Sequence, residues 1–304
     1  MKKIFLILFT SAICLSACKE TSTVEPQAVA VSSIQSLLSK NAPAVQKFTF
    51  NNESGTTILG TKGTSISIAP FTYGASSGVV TLSLKEVYTK NEMAAAGIFT
   101  SAYGSQMLNS QGMFELKASK NGAEVLPEKS SVVRMNIAPG TTPSETKIFK
   151  LVKLYDSASK TTTEEWVEYD ENWDFDSSSQ KKCKFNFKCI TWCNLDAYMS
   201  NNGTSNIIKV SPPAGFGSSN MQVYFNLTGV NGLVSLYPNA ISKTFNTYPI
   251  KAGYSGKIIM VAIKDNKYYR KVLDVTFTQS EQTFTLSTMD QVVMTDIETL
   301  LSSF

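Results

Sequence analysis

Side chains able to bind a cation recur at every second position of Asp170-Glu171-Asn172-Trp173-Asp174-Phe175-Asp176. Alternating oxygen ligands of this kind fill positions one, three, five and seven of a calcium loop. Such a loop also wants glycine at its sixth position and a bidentate glutamate at its twelfth, where Phe175 and Lys181 stand. Asp170, Asn172, Asp174 and Asp176 are therefore candidates for an irregular cation site. The plainer reading is an acidic interdomain linker running into the basic stretch 181–188. Cys183, Cys189 and Cys193 offer thiol chemistry. Three thiols suit one disulfide plus one free thiol, with all three pairings open. As a metal site they lack a fourth ligand. Lys182, Lys184 and Lys188 are the neighbours that would activate a reactive thiol. Ser144-x-x-Lys147, Ser157-x-x-Lys160 and Ser178-x-x-Lys181 have Ser-Lys spacing, but none opens a helix, and a chain rich in both residues produces such pairs by chance. Gly74-Ala75-Ser76-Ser77-Gly78 satisfies G-x-S-x-G, yet a nucleophile elbow needs a strand before it and a helix after it. Here a strand follows, so the segment reads as a turn. The chain has no histidine, which excludes Ser-His-Asp and Cys-His catalysis and histidine-ligated zinc. Carboxylate-only or Ser-Lys chemistry survives, and no cofactor is expected.

Lys2 and Lys3 precede an apolar run from Ile4 to Leu15, closed by small residues. A basic start, a short apolar stretch and a small-residue site describe a secretory signal peptide. The run is too short for a membrane span, which needs about 20 residues. Leu15-Ser16-Ala17-Cys18 resembles the bacterial lipobox. The resemblance implies removal of residues 1–17 and fatty acylation of Cys18, palmitate being a typical chain. More than one chain makes the anchor lasting. Lys19, rather than aspartate, follows the cysteine; by similarity to Gram-negative lipoproteins this implies an outer-membrane lipoprotein of the cell envelope, periplasmic or surface-exposed. An oxidising location favours a disulfide among the remaining cysteines. Residues 19–30 hold no aromatic side chain and little apolar content, which predicts a flexible tether. With a short helix over 32–38, the tether fills 18–44.

Loss of Lys2 and Lys3 lowers the formal charge from +4 to +2, and Arg134 and Arg270 are the only arginines. Nothing there suits nucleic acid. The elements that must position any site read as strands. Alternation predicts strands over 45–50, 57–59, 64–68, 79–84, 113–118, 132–137, 148–155 and 165–169, with a helical turn or two at 90–96. A second set covers 185–191, 207–210, 221–227, 233–236, 257–263 and 272–278. Asn121-Gly122 and Asp265-Asn266 mark hairpin turns. Met289, Val292, Val293, Ile297, Leu300, Leu301 and Phe304 form one helical stripe capped by Thr288. The expected fold is all-β: two β-sandwich-like domains, 45–176 and 184–304, with a C-terminal amphipathic helix. Tyr268-Tyr269-Arg270 has stacking side chains, but adjacent strand residues face opposite ways.

Gly60-Thr61-Lys62-Gly63-Thr64-Ser65-Ile66-Ser67-Ile68-Ala69-Pro70, Gly78 to Glu86 and Gln111 to Ala118 resemble a group of uncharacterised Bacteroidetes lipoproteins. The same stretches are distantly similar to the β-domain of ankyrins, zonula occludens proteins and netrin receptors. Trp192-Cys193-Asn194-Leu195-Asp196 resembles a Trp-x-Asn-x-Asp motif of those lipoproteins, with cysteine displaced to position 193. Asp156-Ser157-Ala158 resembles a Bacteroidetes O-glycosylation site. Self-cleavage, known among eukaryotic relatives at a His-Phe-Ser site, is not implied without histidine. The resemblance implies a non-enzymatic binding or assembly module, held to the membrane by its lipid and meeting an envelope protein or glycan. The competing readings are an envelope hydrolase and a structural subunit of a surface complex.

Overall fold

The computed structural model describes residues 34–102, 106–138, 141–142, 144–156, 161–176, 179–199, 205–278 and 280–304. Strand Val79–Val87 shows why a sandwich forms: Val80, Leu82 and Leu84 are fully buried, and the residues between them face outward. It lies in an antiparallel sheet whose order is Gln46–Asn51, Val79–Val87, Gln106–Lys120, Trp192–Tyr198, Thr146–Asp156 and Thr161–Glu168. The short strand Ser101–Ala102 bridges the last of these back to Gln106–Lys120, so this end of the sheet curls round on itself. The facing sheet runs Asp174–Asp176, Ser179–Phe187, Ser131–Asn136, Ser65–Ile68 and Thr56–Leu59. Their inner faces share one core that includes Ile66, Leu82, Phe114, Met135 and Phe187.

A buried carboxylate fixes the turn between two of these strands. Glu86 accepts from the backbone N–H groups of Thr64 (2.9 Å) and Lys62 (3.0 Å) and from the Gln46 amide (2.9 Å). It thereby pins the Gly60–Gly63 turn to the sheet. The anticipated hairpin residues sit at positive φ: Asn121 at 53°, Asp265 at 52° and Asn266 at 58°.

The second sandwich pairs a sheet ordered Leu233–Ser235, Met221–Leu227, Ser255–Lys264, Lys267–Thr276 and Asp290–Val292 with one ordered Tyr237–Asn239, Thr244–Asn246, Ile208–Ser211 and Gln282–Thr285. Val223, Phe225, Ile258, Met260 and Phe277 fill its core. The division between sandwiches differs from the expected one. Ser179–Phe187 and Trp192–Tyr198 both belong to the first sandwich, and the second begins at Ser205. Cys183, Phe185, Phe187, Cys193 and Leu195 supply inner-face positions that the first core needs. The acidic stretch is correspondingly no linker: Asp174–Asp176 is an edge strand of that sandwich.

Three short helices gather where the sandwiches meet: α1 (Ile34–Leu38), α2 (Lys90–Ala96) and α3 (Met294–Ser302). A third apolar cluster joins Val87, Phe149 and Trp166 of the first sandwich to Tyr224 and Val261 of the second, with Leu37, Met93 and Ile297 from the helices. The described residues thus form one packed body. Helix α2 matches its expected bounds. Glu92 accepts from the Thr89 N–H at 3.3 Å at one end, and Gly97 at φ 69° closes the other. The C-terminal helix is shorter than its stripe suggested. Residues 290–292 pair with Lys267–Thr276 instead, and Asp296, not Thr288, caps the helix by accepting from the Val293 N–H at 3.2 Å. No described helix is long and apolar enough to cross a membrane.

Candidate functional site

Cys18, the signal segment, Ser157-x-x-Lys160, Ser178 and the Ser157-Ala158 part of the glycosylation motif lie outside the described residues. Of the four cation candidates, Asp170, Asn172 and Asp174 are exposed, while Asp176 is buried with its carboxylate 3.6 Å from Arg134 Nε. Asp174 and Asp176 stand on the edge strand, and Asp170 and Asn172 precede it outside any strand. No group of three or more histidine, cysteine, aspartate or glutamate side chains able to hold a metal ion occurs among the described residues.

The three cysteines gather in the first core as free thiols. Cys183 projects from one sheet and Cys193 from the other, both fully buried, and Cys189 packs beside them half-buried. Burial pushes the Cys183 thiol up to about 12 and holds the Cys193 thiol well above its ordinary range. Burial also raises Cys189, against which Lys150 and the Tyr169 hydroxyl pull. The activating cation is thus Lys150 from a neighbouring strand, whereas Lys184 and Lys188 face solvent. Ser144 meets Thr142 at 3.1 Å, and Lys147 turns to Glu168 at 3.7 Å, so that pair forms no dyad. Lys120 Nζ does reach Ser76, donating to its hydroxyl at 2.8 Å and its carbonyl at 2.7 Å. An exposed ammonium that donates to the hydroxyl is no base for it. Sequence spacing missed this contact because 44 residues separate the partners.

A buried polar knot lies in the first sheet. Ser110 Oγ donates to Asn194 Oδ1 at 2.7 Å, and Asn194 Nδ2 donates to Asp196 Oδ2. Asp196 Oδ1 has no hydrogen-bond partner among the described residues. Complete burial holds the Asp196 carboxyl well above the usual carboxylate range, with the hydrogen bonds opposing that shift. The knot sits at the register shift between Leu195 and Asp196, opposite Gly112 and Ser110, and Gly112 takes φ 142° there. Its arrangement sits at a bulge in the central strands, where burial favours the neutral form of the Asp196 carboxyl.

Two surface grooves flank α3. One, about 390 Å³, runs between the helices and is lined by Leu38, Asn41, Asn91, Ala94, Glu298 and Leu301 among others. The other, about 580 Å³, lies between α3 and the outer face of the larger second-sandwich sheet. Register builds it: Asn226 lies opposite Lys257, Ile259 opposite Val272, Val261 opposite Arg270, and Arg270 opposite Asp290. Same-face residues therefore form its floor, while Leu300 and Ser303 of the helical end form its wall. Lys90 Nζ donates to Asn226 Oδ1 at 2.7 Å, which ties the first sandwich to this groove. The adjacent tyrosines do diverge. Tyr269 meets Phe216 edge-on at 5.1 Å in the second core, and Tyr268 packs on the shared cluster, so no stacking platform forms. Of the groove residues, sequence patterns point to Arg270 and Leu300 but not to their place in one groove, since four strands and a helix contribute. Comparison with protein-family models and with curated proteins gave no match for the chain.

Proposed function

We propose that this chain is an outer-membrane lipoprotein acting as a non-enzymatic binding module, with the larger groove beside α3 as its ligand site. The observation that carries this reading is the groove itself. Its volume of about 580 Å³ suits a small organic ligand, and its floor is a rigid sheet whose register sets every lining side chain. Leu15-Ser16-Ala17-Cys18 supports the anchor, and residues 19–30 the tether that would hold the body off the bilayer. Both halves are testable. Wild-type protein should fractionate with membranes and incorporate labelled palmitate, and Cys18→Ser should do neither. A soluble product with Met1 intact would refute the anchor. For the site, Leu300→Trp fills the groove from the helix side. It should abolish thermal stabilisation by any ligand found in a metabolite screen, and stabilisation that survives it would place binding elsewhere.

A further inference from the structure

The charges of the larger groove sit at its two ends. Lys257 lies at one, and Arg270 with Lys271 at the other; the stretch between is apolar, with Ile259 and Val272 on the floor. Lys257 lies four positions from Val261, the residue opposite Arg270, so the two cationic positions are roughly 13 Å apart along the strands. Asp290 is the one carboxylate among the lining residues, and it meets Lys271 at 3.3 Å. Outside the lining, Asp274 meets Lys257 at 3.4 Å, with both partners more than half exposed. Such exposed pairs hold little energy and yield readily to a better partner. Arg270 has no carboxylate within ion-pair reach among the described residues, and its Nη1 makes a long bond to the Asp296 carbonyl at 3.5 Å. A half-buried guanidinium with an open planar fork is suited to receive an oxyanion bidentately.

From this we infer that the groove takes a dianionic ligand with an apolar middle, one oxyanion seated on Arg270 and the other on Lys257. This rests on the binding reading above and adds the chemical class. A charge-assisted hydrogen bond contributes about 1.5–3 kcal/mol, which corresponds to a ~10- to 100-fold effect on affinity at the Arg270 end.

The test uses calorimetric titration of the full lipidated chain in detergent with suberate, octanoate and 1,8-octanediol. Suberate should bind tightest, octanoate more weakly and the diol least. Arg270→Gln should weaken suberate by ~10-fold or more. Lys257→Gln, a substitution at an exposed site that leaves folding intact, should reduce suberate to the level of octanoate. Equal binding of all three probes, lost in Leu300→Trp, would overturn the charge assignment while leaving the groove a binding site. No binding by any probe would overturn the dianion assignment, and a screened ligand whose binding Leu300→Trp abolishes would then keep the groove as a binding site. If Leu300→Trp alters no binding at all, the site itself fails, and the dianion proposal fails with it.

Discussion

Asp196→Asn tests whether the first sheet holds a proton in its interior. The carboxyl is fully buried, one oxygen lacks a partner among the described residues, and burial raises its pKa well above the ordinary value of 3.8. The unfolded chain releases that proton near 3.8, while the folded chain keeps it. Between the two pKa values the native state binds more protons, so stability is full below 3.8 and falls as pH rises through the folded value. The slope is about 1.4 kcal/mol per pH unit, or about 2.7 kcal/mol over any two units inside the window. Asparagine nearly preserves the shape, can still accept from Asn194 Nδ2, and has no proton to lose. The variant should therefore gain on wild type steadily with pH, and other titrating groups cancel in the difference. Urea unfolding midpoints at half-unit steps from pH 4 to 8, with unchanged m-values, measure this directly. A difference that stays flat across that range would show that Asp196 ionises as it does in the unfolded chain, and the argument from burial would be wrong.

Glu86→Gln places an amide where Lys62 and Thr64 both donate, leaving a buried donor facing an N–H. Unfolding free energy should fall by about 2–3 kcal/mol in urea titration. Trp166→Ala empties the seam between the sandwiches and removes the indole bond to the Phe99 carbonyl, 2.6 Å long. A loss of about 3–5 kcal/mol is expected, read as a lowered denaturation midpoint. The native protein exposed to a thiol reagent at pH 8 should label first at half-buried Cys189, with Cys183 and Cys193 reacting on the timescale of unfolding; peptide mass spectrometry resolves the order.

Local pattern carried much of this fold. The alternation from Val79 names its strand, Lys90–Ala96 announces its helix, and Asn121-Gly122 and Asp265-Asn266 locate their turns. Where polar side chains stand on inward faces, the pattern breaks. Asn194 and Asp196 hide the strand Trp192–Tyr198, and Ser110 conceals the first half of Gln106–Lys120. Their burial depends on partners brought from far along the chain, as Ser110 and Asn194 are brought together across 84 residues. The stripe after Thr288 reads as one helix because its first residues are apolar at helical spacing, yet an open sheet edge captures them. The groove was least legible for the same reason. Its floor is a product of strand register, and register is settled by turns and pairing, not by the composition of any one segment.

The strand Trp192–Tyr198 lies between Gln106–Lys120 and Thr146–Asp156, yet it is the last of the first sandwich to be synthesised. Until it emerges from the ribosome, the two halves of the sheet are joined, among the described residues, through the two-residue strand Ser101–Ala102, and each keeps a long unpaired backbone edge along the gap. Any product stopped near residue 176 keeps those edges for good and offers them to neighbouring chains. The central rung therefore acts as a completion check, because a nascent chain cannot reach its cooperative state before position 198 has been delivered.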